Sequence, residues 1–103
     1  MTVLTVFRSR LAEGAYDAGY GDMAAAMEAR ARAMPGFVSF KGFGAEDGER
    51  VSIIEFDTEA HQQAWARDEQ HREAQAAGRT SFYAEYRLTV TAITRDHAWR
   101  RPE

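Results

Sequence analysis

The sequence contains no cysteine and no asparagine, and Lys41 is the single lysine among its 103 residues. Without a thiol, the chain has no means of forming a disulfide, a thiolate metal site or a cysteine nucleophile. Its formal net charge of −3 argues against a general surface for nucleic acids or anionic membranes. Residues 1–7 are too short an apolar stretch for a signal peptide or membrane span, so we expect a cytoplasmic protein.

The length and composition are those of one small globular domain, with 45% hydrophobic and 28% charged residues. We place this domain at residues 1–95 and interpret residues 96–103 as a charged tail. The tail is either disordered or an arm that lies on a partner subunit. A domain of this size buries a modest share of its surface, which makes oligomerisation an open possibility.

Hydrophobic periodicity predicts the first half of the fold. Residues 2–11 alternate in character and are rich in β-branched side chains, which indicates a strand. Across residues 15–34 the apolar residues recur at steps of three and four, which predicts one long helix. Pro35 and Gly36 should end that helix, because a residue before proline disfavours the α region.

The second half of the chain predicts a hairpin, a broken helix and a long strand. Residues 37–43 and 50–56 read as two strands joined by a glycine-containing loop. Two short helices, 58–67 and 70–77, should follow, and residues 81–94 should form the last strand. The order β-α-β-β-α-β predicts an α+β, ferredoxin-like domain with a four-stranded antiparallel sheet and helices on one face.

The other sheet face would lack a cover, since two helical segments cannot cover both sides. We expect this open face to carry the valine and leucine side chains of the last strand. A second copy of the chain would cover it most economically, which predicts a homodimer packed sheet to sheet.

Several residues around the helix break could line a pocket. Trp65 is either a core residue or a wall for a planar ligand. His71 is either a solvated surface residue or a general base or metal ligand, and His61 lies one turn before Trp65. Alternation places Tyr83 and Arg87 on one face of the last strand, where Arg87 would stabilise an anion or pair with a neighbouring glutamate.

Other site classes are disfavoured by spacing. His61 and His71, together with Glu55 or Asp57, have no recognised metal spacing, so we expect no metal site. The two Gly-x-Gly pairs lack the third glycine, the lysine and the strand–turn–helix context of a phosphate loop. No serine lies in a nucleophile-elbow motif.

Four segments resemble the antibiotic biosynthesis monooxygenase family, over about residues 2–95. They are Met-Pro-Gly-Phe-Val-Ser-Phe-Lys at 34–41, Ile-Glu-Phe-Asp-Thr-Glu-Ala at 54–60, Ala-Trp at 64–65 with Gln-His-Arg at 70–72, and Phe-Tyr-Ala-Glu-Tyr-Arg at 82–87. The resemblance implies a dimeric α+β barrel with a pocket between the helices and the sheet of each subunit. Characterised members oxidise aromatic phenols with dioxygen and without a cofactor.

In such a pocket the family resemblance implies a Trp, an Asn one turn before it, a Tyr after it and an Arg on the last strand. Trp65 and Arg87 match the Trp and the Arg, while His61 stands in place of the Asn and His71 falls near the Tyr position. Trp65 and Tyr83 would stack on the phenol, and His71 or His61 would take its proton. Two further aromatic side chains, Phe40 and Phe56, complete the predicted substrate contacts.

The haem-degrading branch of the family implies an alternative. It uses an Asn on the first strand, a Trp and a proximal His, and Trp65 and His71 could supply the last two. Because the chain has no Asn, haem degradation is disfavoured. The alternative is therefore a non-catalytic protein that binds haem or a hydrophobic metabolite.

Overall fold

The computed structural model describes residues 2–103 and contains a four-stranded antiparallel sheet in the order β2-β3-β1-β4. Eight elements follow one another along the chain. They are β1 (Val3–Leu11), α1 (Tyr20–Ala33), β2 (Phe37–Gly44), β3 (Arg50–Phe56), α2 (Glu59–Ala66), α3 (Glu69–Ala77), a π-turn (Gly78–Phe82) and β4 (Tyr83–Ala92). The predicted α+β, ferredoxin-like architecture is confirmed.

The first helix is shorter than its apolar periodicity predicts. It begins at Tyr20 rather than at Ala15, because Gly19 has a φ of 103°, a left-handed conformation that a continuing helix does not allow. It ends as expected: Met34, before the proline, is extended at φ −78° and ψ 145°.

The helices cover one face of the sheet. Alternate residues of β1 are buried beneath them, with Val3, Thr5 and Ser9 each no more than 5% exposed. Ile54, Phe56 and Trp65 form the centre of the main core cluster. Large aromatic and branched side chains contribute most of the burial that stabilises such a small domain.

The open face differs in composition from the prediction. Leu88 and Val90 pair with Phe7 and Thr5, so these two side chains point to the helix-covered side. The open face instead carries apolar residues of β1, β2 and β3. These are Leu4, Val6, Phe43, Val51 and Ile53.

The last strand begins two residues later than predicted, at Tyr83, because the preceding five residues form a π-turn. A β-bulge follows at once: Arg10 pairs with Glu85, but Leu11 pairs with Tyr83, which leaves Ala84 as an extra residue in β4. The bulge decides which side chains of β4 point towards the helices. Residues 95–103 form no helix or strand.

No helix within residues 2–103 is long and apolar enough to span a bilayer.

Candidate functional site

A cavity of about 260 Å³ lies between the sheet and the helices α1 and α3. Its walls are mostly apolar and aromatic, with a few polar groups, which is the usual composition of a small-molecule site. The side chains that matter most for its chemistry are Phe40, Arg50, Trp65, His71, Tyr83 and Tyr86.

Trp65 and His71 form one stacked pair at the cavity wall. Their ring centroids are 4.2 Å apart and the rings are inclined by 9°. Trp65 lies in the last turn of α2 and packs on Phe56, with 5.5 Å between the ring centroids, so the core fixes its position. His71 is 8% exposed and lies in the first turn of α3. The short break between the two helices allows the rings to stack.

The hydrogen bonding of His71 assigns its tautomer. Nδ1 lies 3.0 Å from the carbonyl oxygen of Trp65. A carbonyl accepts and does not donate, so Nδ1 carries the proton and Nε2 is left with its lone pair. Burial lowers the pKa of His71 below its usual value, against the opposing effects of the Trp65 carbonyl and Asp68. The imidazole is therefore neutral at physiological pH and suited to accept a proton.

The indole of Trp65 contributes a flat surface rather than a hydrogen bond. Its Nε1 is sealed from solvent and has no hydrogen-bond partner in the part of the chain that the structure describes. An unpaired buried donor is uncommon and costs free energy. The indole is therefore held by ring contacts with Phe56 and His71 and not by a hydrogen bond of its N–H group.

Tyr83 and Tyr86 both face the cavity, although strict alternation would separate them. The bulge at Ala84 brings the two rings to one side, with centroids 5.7 Å apart. Burial raises the pKa of Tyr83 to about 12, so its phenol stays protonated. The expected pairing of Tyr83 with Arg87 on one face is wrong for this reason.

Arg87 lies on the other side of the sheet. It pairs in register with Arg8, whose side chain points to the open face and bonds Glu49 with 3.0 Å between Nη2 and Oε1. The position predicted to supply the anion-stabilising charge is therefore separated from the cavity by the sheet.

Two more predicted site residues lie outside the cavity lining. His61 is partly exposed, and its Nδ1 is 2.6 Å from Oδ1 of Asp57, an interaction that lowers the pKa of Asp57. Phe56 is completely buried beneath Trp65 and supports the wall without forming it. Of the predicted residues, Phe40, Trp65, His71 and Tyr83 are brought together.

Arg50 is a cavity residue that the sequence interpretation missed. Its guanidinium lies over the ring of Tyr20, 5.8 Å from the centroid, and its charge acts to lower the pKa of Tyr83. The alternation of β3 carried the signal, because Arg50, Ser52 and the buried Ile54 are two residues apart and share a face.

Similarity to known proteins agrees with this architecture. No family model matches the chain. The uncharacterised protein YqjZ of Bacillus subtilis is 26% identical over 84 residues, covering 82% of this chain and 74% of that protein. A variant of SnoaB, a cofactor-independent oxygenase from Streptomyces nogalater, superposes with a TM-score of 0.78 at 14% identity, over 92% of this chain and 95% of SnoaB.

A second solved structure has the same arrangement. A candidate antibiotic biosynthesis monooxygenase from Deinococcus radiodurans gives a TM-score of 0.79 at 13% identity, over 98% of this chain and all of that one. The fold is that of the antibiotic biosynthesis monooxygenases. Sequence identities this low show similarity of fold alone. The cavity lined by Trp65 and His71 is the candidate site in this monooxygenase-like fold.

Proposed function

We propose that the protein is a cofactor-independent oxygenase that acts with dioxygen on a small aromatic phenol. The observation that carries this proposal is His71, a buried neutral imidazole with a free Nε2 at the wall of an aromatic cavity. A general base must be deprotonated at the working pH and must reach the substrate proton. His71 meets the first condition through burial and the second through its place in the cavity lining.

The reaction begins when His71 Nε2 removes the phenolic proton while the substrate ring lies along the aromatic wall. The phenolate carries negative charge on its ring carbons and transfers electrons directly to dioxygen. A bond forms between dioxygen and a ring C–H carbon, and the O–O bond of the resulting peroxide then breaks. One oxygen atom becomes the new carbonyl oxygen of a quinone, and the other leaves as water with the hydrogen of that carbon and the proton that His71 returns.

The protein contributes orientation and a low local dielectric constant. Trp65 fixes the plane of the imidazole, and the apolar side chains of Phe40, Ile54 and Leu88 line the same space. Exclusion of water strengthens the electrostatic interaction between the phenolate and the imidazolium that forms. No cofactor is required for these steps.

Haem fits the cavity poorly. Nε2 of His71 is free to bind a metal, because the carbonyl of Trp65 engages only Nδ1. The volume of about 260 Å³ lies below the roughly 300–1,000 Å³ of typical ligand pockets, and a porphyrin is too large for it. A bicyclic or tricyclic phenol is the better match.

We further propose that two copies associate through the open sheet face and that the protein acts in the cytoplasm. Leu4, Val6, Val51 and Ile53 are each partly exposed on that face, and Phe43 is 49% exposed. An apolar patch of this kind is stabilised when another surface covers it. Homodimerisation covers it with an identical patch.

Oxygen uptake tests the proposed activity. The purified protein should consume dioxygen when given anthrone or one of a panel of dihydroxynaphthalenes, without added metal, flavin or haem. Metal chelators should not change the rate. Absence of oxygen uptake with every phenol of the panel would contradict the proposal, and binding without uptake would favour a non-catalytic ligand-binding protein.

A further inference from the structure

A small polar recess adjoins the main cavity at Arg50. Its volume is about 50 Å³, and its lining includes Ser9, Arg50, Ser52 and Tyr83 but neither Trp65 nor His71. Arg50 and Ser52 line both spaces. The recess is therefore a side chamber that opens from the cavity and presents a guanidinium beside two hydroxyl-bearing residues.

Strand register explains why these groups meet. Ser9 of β1 is the direct cross-strand partner of Arg50, and Ser52 is two residues further along β3. Directly opposed residues and residues two apart point to the same side of a sheet. The three polar side chains thus converge on the helix-covered face.

Two glycines of β2 leave room for the recess. Gly42 is paired with Ser52 and Gly44 with Arg50, so neither position supplies a side chain that would cover the neighbouring polar group. An added Cβ at Gly42 would meet nothing closer than the Val51 carbonyl oxygen at 4.0 Å, and at Gly44 it would meet nothing within 4 Å.

The positive charge in the recess is not neutralised by the chain. No aspartate or glutamate of residues 2–103 lies within 4.0 Å of the Arg50 guanidinium. The preceding residue, Glu49, bonds Arg8 instead. Glu28, which also lines the main cavity, is held by Arg32 at 3.0 Å.

The recess and the stacked pair lie at opposite ends of the cavity. Trp65 packs in one cluster with Ile54 and Phe56 at the far end of β3. Arg50 and Ile54 are four steps apart along an extended strand, which corresponds to about 13 Å. A ligand with two polar groups at opposite ends can reach both sites only if its rigid aromatic body lies along β3.

We propose that Arg50 determines specificity by binding a carboxylate of the aromatic substrate in the recess with Ser9 and Ser52. A guanidinium presents paired donors that match the two oxygens of a carboxylate. The substrate class is then an aromatic phenol with a carboxylate at the end remote from its reacting hydroxyl. The inference rests on the proposed function, because it uses the same cavity and ligand body.

Binding of matched naphthalenes tests the inference. Calorimetric titration under nitrogen, at neutral pH, compares 6-hydroxy-2-naphthoate, which carries its two groups at opposite ends, with 2-naphthol, which lacks the carboxylate. The carboxylate should tighten binding roughly tenfold or more, the value of a hydrogen-bonded charged group. The isomer 3-hydroxy-2-naphthoate, with adjacent groups, should lose most of that gain.

Two variants test whether the carboxylate binds in the recess beside Arg50. Arg50→Gln should remove the preference for 6-hydroxy-2-naphthoate over 2-naphthol. Gly42→Val should do the same by filling the recess while Arg50 stays in place. Arg72→Gln is the matched control, because it removes one arginine charge from an exposed position outside the cavity and should retain the preference.

The outcomes separate this inference from the proposed function. Equal binding of 6-hydroxy-2-naphthoate and 2-naphthol to the wild-type protein, or a preference that survives both Arg50→Gln and Gly42→Val, would overturn the role of Arg50 while aromatic binding stands. Binding of neither ligand would overturn both. Thermal unfolding of each variant confirms that it is folded before titration.

Discussion

Nη2 of Arg30 lies 2.6 Å from Oδ1 of Asp68, and this ion pair ties α1 to the start of α3. The same carboxylate caps α3, since its other oxygen accepts a hydrogen bond from the backbone N–H of His71 at 3.2 Å. One side chain therefore holds the helix that carries the proposed base. The side chain of Asp68 is 9% exposed, so solvent competes little for these bonds.

Replacement of Asp68 should separate the two roles. Asp68→Asn keeps an oxygen that can cap the helix but loses the charge, whereas Asp68→Ala loses both. We expect Asp68→Ala to lower the midpoint of thermal unfolding by roughly 5 °C or more and Asp68→Asn by less. Equal effects of the two substitutions in a thermal scan would show that the cap contributes nothing.

Gly36 should be intolerant of any side chain. Its φ is +80°, and an added Cβ would collide with Asp57 and His61. Gly36→Ala should cost more than about 2 kcal/mol of unfolding free energy, from backbone strain and from displacement of that pair.

Two other glycines provide controls for Gly36. Gly14 also has a φ of +80° but would meet nothing within 4 Å, so Gly14→Ala isolates the strain at about 1 kcal/mol. Gly44→Ala should be neutral or stabilising by up to about 1 kcal/mol, because its φ is not in the left-handed region and its Cβ is unobstructed. Urea denaturation of the three variants should give this order.

The pH dependence of oxygen uptake should reflect the lowered pKa of His71. The base is active when neutral, so kcat/KM should stay at its plateau as the pH falls through the usual imidazole range and decline only below it. A decline centred at or above the usual imidazole pKa would contradict a buried base.

Stability should depend on pH through the same group. In the unfolded chain His71 binds a proton at a higher pH than in the folded protein, so the unfolding free energy should fall as the pH drops between those two pKa values. His71→Gln should flatten this part of the curve. The contribution of Asp68, whose pKa is lowered first by its hydrogen bond with Arg30, should be lost only at more acidic pH.

The two histidines of the helical region should differ in their effect on turnover. His71→Gln removes the base from the cavity and should reduce kcat by roughly 100-fold or more. His61→Gln alters a partly exposed residue bonded to Asp57 and should leave kcat within about twofold. A larger loss from His61→Gln than from His71→Gln in oxygen-electrode assays would reverse the assignment.

A charge on the open sheet face should prevent the proposed dimer. Ile53 is paired with Val6 near the middle of that face, so Ile53→Lys should shift the mass measured by sedimentation equilibrium from dimer to monomer. Arg72→Gln, on α3, should not change the mass. A wild-type monomer at micromolar concentration would contradict the proposal.

Sequence periodicity was sufficient to predict the order of helices and strands. The alternation of side chains in a strand and the apolar face of a helix are both local sequence patterns. Pro35 and Gly36 correctly predicted the end of α1, as the extended backbone of Met34 shows. The start of α1 was predicted too early. The apolar periodicity favours a helix before Tyr20, but the left-handed conformation of Gly19 prevents the helix from including those residues.

The site was partly predictable. Trp65, His71, Phe40 and Tyr83 could be grouped because they flank the helix break or lie on strands that face it. The orientation of Arg87 was predicted wrongly, because the prediction assumed strict alternation of side chains along β4. The bulge at Ala84 interrupts that alternation, and nothing in the sequence indicates it. The stack of His71 on Trp65 depends on the angle between two short helices, which periodicity does not define.

The extra residue Ala84 makes the composition of the cavity depend on one backbone irregularity of β4. Without the bulge, strict alternation along the same sequence would turn the ring of Tyr83 to the side of the sheet opposite Tyr86. Most substitutions at Ala84, by contrast, would alter a single exposed side chain. Evolution can therefore vary the amino acid at this position freely, because the irregular backbone around Ala84, and not its side chain, places Tyr83 in the cavity wall.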